Sequence, residues 1–402
     1  MNFESHLSEI ASADCLTHRP VDSDACADPF EATLSALRAP LDYPAMTEAI
    51  VPGDTVAIAV DPNTPQISKI LSAVLQVLQE SDADGISIVV GDEALPSTMQ
   101  AISEIVGDAA EVEIHQPTNR EALRFLGPDA SAYPIYLNRL LVDADFVLPI
   151  TSGRCGDLDC PSDLYGFFPA FSDSASRFRL MNPPREGGAE AATEAPAETA
   201  DPNEPAILLG AQLMLSVTSS DSGEAAEIFA GTTIGIRKRL QELRHIPEGN
   251  SSTSLVVASL DGNPQQQTWQ NVARAAAAAA RIADTSGTLV LWTNLSDAPT
   301  GCLLRISDDT AELGRYSDTS GEEELPLWDP TLTPAYTLRK LAQEYRILLH
   351  SELPPEEAEA LGIGSIQSDD ELTNLTRSFA HCSILRAASF CGATYNWLET
   401  PF

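Results

Sequence analysis

Residues 56–71 read VAIAVDPNTPQISKIL, an apolar run that stops at Asp61 and resumes after Pro65 with the spacing of a helix. The run is short and rich in β-branched residues, which is typical of a buried strand. The residues after it predict an amphipathic helix, because apolar side chains recur every three or four positions: Ile67, Ile70, Leu71, Val74, Leu75 and Leu78. We expect a strand, a turn and a helix, with Thr64 as the helix N-cap and Pro65 at the first helical position.

Similar apolar runs recur along the chain and predict the fold class. ISIVV (86–90), VEI (112–114) and DFVLPI (145–150) are separated by segments long enough to hold helices. Runs spaced in this way indicate a parallel sheet that is covered on both faces. SLVVASL and GTLVLWT, on either side of the alanine-rich segment TWQNVARAAAAAARIA, predict a second βαβ unit. We therefore expect an α/β protein with two lobes and mainly parallel sheets.

Composition suggests where the domains begin and end. Residues 1–35 are polar and lack periodicity, so we expect an irregular arm there, followed by an α/β domain over 36–245. The proline-rich and acidic stretch 182–205 has little apolar content and predicts a flexible surface insertion. A boundary at 246–253 then leads into a second α/β domain over 251–402 with a helical tail. Three further segments read mainly as helices: 225–245, 334–353 and 370–390.

The charge balance excludes two classes of partner. Lysine and arginine number 23 against 59 acidic residues, which gives a net charge of −36. Such a surface repels phosphate groups, so we expect neither nucleic acid nor anionic membranes as partners. The seven cysteines are an odd number without a CxxC pair, and they favour reduced thiols. The acidic N-terminus lacks the features of a signal peptide, and no apolar stretch reaches ~18 residues. These features predict a cytoplasmic protein.

Several segments, taken in order, match one known family. They are ALRAPLDYP (36–44), VPGD (51–54), NRLLVDADFVLPI (138–150) and SLDGNPQQQTWQNVARA (259–275). With the opening stretch, they resemble the nickel-dependent lactate racemase family over residues 36–300. This resemblance implies two α/β lobes with a cleft between them. Members of that family racemise 2-hydroxy acids such as lactate by hydride transfer with a nickel pincer nucleotide that is attached to a lysine.

The chain departs from the family at the residues that bind the cofactor and move protons. The family turn Asp-x-Thr-Arg-Pro has lost its arginine, and Gly91 is followed by Asp92 and Glu93 where the family has a histidine. The cofactor lysine and the histidines near it have no counterpart in residues 151–182, and no histidine lies between His115 and His245. The resemblance therefore implies a divergent member with no covalent cofactor, no metal ligand and no confident catalytic residue. His115 itself reads as a hydrogen-bonded residue at a strand end.

What remains is a modest candidate site for a small ligand. Asp61, Asn63 and Thr64 follow a parallel strand at its carboxyl end, where α/β sheets bind ligands. The family's Tyr-Gln-x-x-Lys becomes WQNVA here, with an arginine one position beyond the expected lysine, about 100° around the helix. The resemblance thus adds three candidates from the second domain: Trp269, Gln270 and Arg274. The competing interpretation is that Asp61 and Thr64 only cap the helix.

Three functions remain open from the sequence. The first is a lactate racemase-like protein without racemase activity that binds a small 2-hydroxy acid or other carboxylate, or acts as a scaffold. The second is a nickel-dependent 2-hydroxy-acid racemase or epimerase with a non-standard site. The third is a structural partner of a paralogue or of a second copy of the chain.

Overall fold

The structure is a computed structural model that describes residues 15–129, 132–154, 166–181, 204–243, 253–308, 313 and 329–391. Within these ranges, no helix has both the length and the apolar character needed to cross a bilayer. The described chain forms two six-stranded sheets and one separate two-stranded sheet. The first lobe is built around one large sheet and the second lobe around the other. The α/β class with mainly parallel sheets, predicted from the apolar runs, is confirmed.

The opening stretch forms the centre of the first lobe. Strand β2 (Thr55–Val60) pairs in parallel with β3 (Gly85–Val90) on one side and with β7 (Phe146–Ser152) on the other. Helix α3 (Ile67–Gln79) follows β2, and the whole apolar stripe predicted for it is buried. The stripe packs beneath the sheet in one continuous core, which also includes the residues of helix α1 (Pro29–Arg38).

The first sheet also contains β4 (Glu111–Ile114), β8 (Met214–Ser219) and β9 (Ala225–Gly231). Its strand order is β4, β3, β2, β7, β8, β9, with only the last strand antiparallel to its neighbour. A separate antiparallel pair is formed by β5 (Leu123–Pro128) and β6 (Pro134–Asn138). The further helices of the lobe are α2 (Met46–Ala49), α4 (Pro96–Val106), α5 (Arg139–Asp143), α6 (Ser174–Met181), α7 (Glu204–Leu209) and α8 (Thr233–Leu243).

One predicted helix in this lobe is wrong. Residues 225–231 form β9, and only the second part of the 225–245 segment forms helix α8. Gly223, with φ +79°, makes the tight turn that lets β9 return alongside β8. Only the part of 225–245 that forms α8 has the helical spacing of apolar residues. The part that forms β9 is a short buried strand, and such a strand has no helical period.

The strands of the second sheet are β1 (Cys15–His18), β10 (Thr253–Ser259), β11 (Ala283–Trp292), β12 (Arg346–His350), β13 (Gly364–Ile366) and β14 (Cys382–Leu385). This sheet is parallel throughout and has the order β1, β14, β10, β11, β12, β13. Its helices are α9 (Trp269–Ala280), α10 (Leu332–Glu344), α11 (Pro355–Ala360) and α12 (Asp369–Arg377). The alanine-rich helix α9 lies between β10 and β11, so the predicted second βαβ unit is confirmed.

The tail is not mainly helical, which corrects the prediction for residues 334–353 and 370–390. The first segment holds most of α10 followed by β12, and the second holds most of α12 followed by β14. All four residues of β14 are buried between β1 and β10. A short, mostly apolar run a few residues after a helix carries no periodicity that separates it from the helix, so only sheet pairing identifies it as a strand.

The N-terminal arm is also corrected where the structure describes it. Residues 15–18 form β1, which pairs with β14 from the far end of the chain and so joins the second lobe. Helix α1 then begins at Pro29, capped by the side chain of Asp28, and belongs to the first lobe. The segment from β1 to α1 therefore connects the two lobes. Most of the predicted insertion, 182–203, lies outside the described residues, and its last two residues begin helix α7.

The expectation of reduced thiols throughout is wrong at one position. Cys382, in β14, is disulfide-bonded. Cys26 and Cys302 are free thiols.

Candidate functional site

The turn after β2 is organised by Asp61. Its Oδ1 accepts hydrogen bonds from the backbone N–H of Asn63 at 2.9 Å and from Asn63 Nδ2 at 3.3 Å. Such a turn, in which an aspartate bonds to the backbone two residues on, is a common local motif. Helix α3 begins only at Ile67, after Gln66 in a left-handed conformation with φ 51° and no side-chain cap. The predicted cap at Thr64 and the predicted place of Pro65 at the first helical position are therefore wrong, because the turn extends beyond both residues.

A second strand brings an arginine to the same carboxylate. β7 runs parallel to β2, and just beyond its end Arg154 Nη1 donates to Asp61 Oδ2 at 3.2 Å. The backbone N–H of Ser152 lies 3.4 Å from the same oxygen. Burial raises the pKa of Asp61, but the charges of Arg154 and Arg274 together with these hydrogen bonds lower the pKa to about 2. Asp61 is therefore ionised at neutral pH.

Arg154 was missed in the sequence analysis, although a signal was present. It follows the DFVLPI run by a few residues, and parallel strands end at the same edge of a sheet. Burial lowers the pKa of the Arg154 guanidinium, and the charge of Asp61 offsets this in part. An arginine stays charged in proteins even so. Its Nε also lies 3.4 Å from the carbonyl oxygen of Ser389 in the second lobe.

Helix α9 of the second lobe reaches the same turn with two side chains. Asn271 Nδ2 donates to Asn63 Oδ1 at 3.0 Å. Arg274 Nη2 contacts both carboxylate oxygens of Glu93, at 2.9 and 2.7 Å, and its Nη1 donates to Asn271 Oδ1 at 3.0 Å. Asn63 Nδ2 donates to Glu93 Oε2 at 3.0 Å. We call the connected residues the interlobe cluster: Asp61, Asn63, Glu93, Arg154, Asn271 and Arg274.

The other two candidates from α9 lie outside the interlobe cluster. Trp269 packs in the core of the second lobe and donates from Nε1 to the carbonyl oxygen of Asp297 at 3.0 Å. Gln270 Nε2 lies 3.4 Å from the carbonyl oxygen of Pro330. Helix geometry explains the division, because residues three apart share a face whereas neighbours diverge by about 100°. The face with Asn271 and Arg274 meets the first lobe.

Several polar atoms next to Asp61 are buried without a hydrogen-bond partner in the described structure. They are Thr64 Oγ1, Ser152 Oγ and Arg154 Nη2. Thr64 is 3% and Ser152 7% exposed, so water does not reach them freely. A buried polar group without a partner costs about 1–3 kcal/mol, and native proteins contain few of them. The Ser152 hydroxyl is nevertheless close enough to Asp61 to help lower the pKa of that carboxyl. Thr64 Oγ1 and Arg154 Nη2 therefore favour a ligand that supplies acceptors.

Comparison with known proteins identifies the first part of the chain. Residues 4–153 match the family model described as the lactate racemase N-terminal domain. The predicted resemblance to the lactate racemase family is confirmed. No curated protein matches the sequence of the chain.

Two solved structures share the fold over nearly the whole chain. The lactate racemase apoprotein from Thermoanaerobacterium thermosaccharolyticum is 13% identical and superimposes with a TM-score of 0.65, covering 96% of this chain and 95% of that one. A protein from Thermotoga maritima is also 13% identical, with a TM-score of 0.57 and coverage of 92% of this chain and 98% of that one. Both lobes thus have the lactate racemase fold.

The residues of the interlobe cluster do not fit a nickel pincer nucleotide. Nickel in such a group requires soft and nitrogen ligands, whereas the interlobe cluster offers carboxylates, amides and guanidinium groups. The described residues contain no group of three His, Cys, Asp or Glu side chains that is placed to hold a metal. Cys155 and Cys160, two thiols five positions apart in the sequence whose type could bind a soft metal, lie outside the described residues.

His115, the histidine nearest in sequence to the first-lobe site, has a structural environment. It is 2% exposed, its Nε2 donates to the carbonyl oxygen of Ser172 at 2.9 Å, and its Nδ1 lies 3.4 Å from Asn138 Nδ2. Burial lowers the pKa of His115, and the charge of Arg177 lowers it further, to about 3. The ring is therefore neutral, and the expectation of a hydrogen-bonded histidine at a strand end is confirmed.

Proposed function

We propose that this lactate racemase-like protein binds a small carboxylate in the cleft between its lobes and has no racemase activity. The observation that carries the proposal is the pair of buried, unpaired donors beside Asp61, namely Thr64 Oγ1 and Arg154 Nη2. A carboxylate supplies the acceptors that these atoms lack. Hydrogen bonds from a guanidinium to a carboxylate are charge-assisted and about twice as strong as neutral ones.

A 2-hydroxy acid suits this arrangement better than a plain carboxylate. Asp61 is ionised and accepts hydrogen bonds only, so it can receive the hydroxyl proton of such a ligand. Arg154 provides the positive charge that keeps the ligand carboxylate from being repelled by Asp61. The ligand would thus be held at both ends, by donors at its carboxylate and by an acceptor at its hydroxyl.

The loss of racemase activity rests on the sequence. Residues 151–182 contain neither lysine nor histidine, so the family's cofactor lysine and its proline-histidine pair have no counterpart there. The alternative is a nickel-dependent racemase with a non-standard site. It requires purified protein to contain nickel in a fixed molar ratio to the polypeptide chain. A third function is that of a scaffold for a paralogue or a second copy of the chain. It predicts that this partner co-purifies with the protein and that the protein has no affinity for carboxylates.

Calorimetric titration of lactate tests the proposal. We expect Arg154→Ala to lose at least about tenfold in affinity relative to wild type, because a charge-assisted bond in a partly buried site is removed. Arg124→Ala is the matched control, since Arg124 forms an ion pair with Asp143 on the surface of the same lobe. No binding of lactate, glycolate or acetate by wild type, or equal binding by both variants, contradicts the proposal.

The compartment proposed from the sequence is the cytoplasm. The disulfide of Cys382 argues against it, because disulfides are rare in a reducing compartment. Protein that is denatured and alkylated at cell lysis, and then weighed by mass spectrometry, distinguishes a reducing compartment from an oxidising one. Alkylation of all seven cysteines favours the cytoplasm.

A further inference from the structure

Arg274 is held by a carboxylate of the protein itself. Its Nη2 contacts both oxygens of Glu93 at 2.9 and 2.7 Å, and Asn63 Nδ2 donates to one of them at 3.0 Å. A ligand carboxylate bound to an arginine and an amide would make contacts of the same kind. Glu93 therefore stands, in chemical terms, where the carboxylate of a ligand would bind.

The contact between Glu93 and Arg274 joins the two lobes. Glu93 lies in the turn after β3 of the first lobe, whereas Arg274 lies on α9 of the second. Asn271 and Asn63 join the lobes beside it at 3.0 Å. The side chains of Arg274 and Glu93 are 15% and 28% exposed, so the pair is largely shielded from solvent. The pair therefore connects the lobes beside the turn that contains Asp61, through the contact of Glu93 with Asn63.

The charges of the interlobe cluster cancel while Glu93 is in place. Asp61 and Glu93 are carboxylates, and Arg154 and Arg274 are guanidinium groups, so two negative charges face two positive ones. The four groups are close enough to influence one another, since burial lowers the pKa of Arg274 while Glu93 and Asp61 raise it to a net increase. An added carboxylate would leave the cluster with one excess negative charge. Removing the charge of Glu93 would instead leave one positive charge for the ligand to neutralise.

We infer that Glu93 is an internal competitor that occupies Arg274 and restrains carboxylate binding in the cleft. This inference concerns the regulation of the site described under the proposed function and rests on that function. A ligand carboxylate must displace Glu93 from Arg274 or bind to Arg154 alone. Its apparent affinity is therefore reduced by the fraction of molecules in which Glu93 holds Arg274.

The test compares lactate binding by wild type, Glu93→Gln and the double variant Glu93→Gln with Arg274→Gln. Glu93→Gln should bind lactate at least about tenfold more tightly than wild type, and the gain should vanish in the double variant. Glu80→Gln is the matched control, because Glu80 pairs with Arg38 within the first lobe and should leave the affinity unchanged. Glu93→Ser is a second variant in case the glutamine variant does not fold.

The outcomes separate this inference from the proposed function. If wild type and Glu93→Gln bind lactate with equal affinity, or if the gain persists without Arg274, Glu93 is not a competitor and only this inference is overturned. If Glu93→Gln binds lactate more tightly than wild type and the double variant does not, the inference is supported. Failure of both proteins to bind lactate overturns the inference and the proposed function together.

Discussion

Lowering the pH should destabilise the first lobe through His115. The buried ring is neutral in the folded protein, with Nε2 donating to the carbonyl of Ser172 and Nδ1 facing Asn138 Nδ2. Protonation would put a charge in a site that is 2% exposed and close to the Arg177 guanidinium. Burial and that neighbouring charge lower the pKa of His115 to about 3.

The size of the effect follows from the difference between the folded and unfolded pKa values. An unfolded histidine has a pKa of about 6.5, so only the unfolded chain takes up this proton as the pH falls from there. The stabilisation by the neutral ring is fully present above about pH 6.5 and is lost as the pH falls toward the folded pKa. At ~1.36 kcal/mol per unit, lowering the pH from about 6.5 to about 5 removes about 2 kcal/mol of unfolding free energy.

Urea unfolding of wild type and His115→Gln at about pH 7.5 and about pH 5 measures this term. Glutamine also provides a donor and an acceptor but does not titrate. We expect the variant to be less stable at the higher pH and to lose about 2 kcal/mol less than wild type on acidification. The net charge of −36 affects both proteins alike and cancels in the difference. If both lose the same free energy between the two pH values, the neutral, buried state of His115 is refuted.

Two further predictions concern the lobe contact and the cofactor. In Gly223→Ala the new Cβ would lie 2.5 Å from Gly262 Cα of the second lobe, whereas Gly210→Ala, at the similar φ of +76°, meets nothing within 4 Å. In urea unfolding, both variants should lose ~1–2 kcal/mol of unfolding free energy, because alanine is strained in the left-handed conformation. Gly223→Ala should lose about 1–3 kcal/mol more, because its Cβ also collides with the second lobe. Equal losses would show that the lobes do not meet there. Intact-mass measurement after co-expression with cofactor-making enzymes should show the unmodified mass, and an adduct on any of the three lysines would contradict the loss of the cofactor: Lys69, Lys238 and Lys340.

Local patterns in the sequence were enough to predict the centre of each lobe. β2, β3, α3 and α9 all lie where apolar spacing predicted them, because each buries a regular face or a continuous run against its own neighbours in sequence. The position of Asp61 and Asn63 at a strand end followed from the same pattern. The sequence also showed that a lysine and histidines expected for the family were missing.

Contacts between distant segments were decided only by the tertiary structure. Strand β1 is a strand because β14, more than three hundred residues later, supplies its partner. Arg154 and Asn271 belong to the candidate site because a neighbouring strand and the other lobe bring them to Asp61 and Asn63. Arg274 reaches the same place, but Glu93 is the group that binds it. Periodicity describes only how one helix or strand faces the core. Which side chains meet across the two lobes depends on how the two sheets are placed relative to each other, and no local sequence pattern encodes that placement.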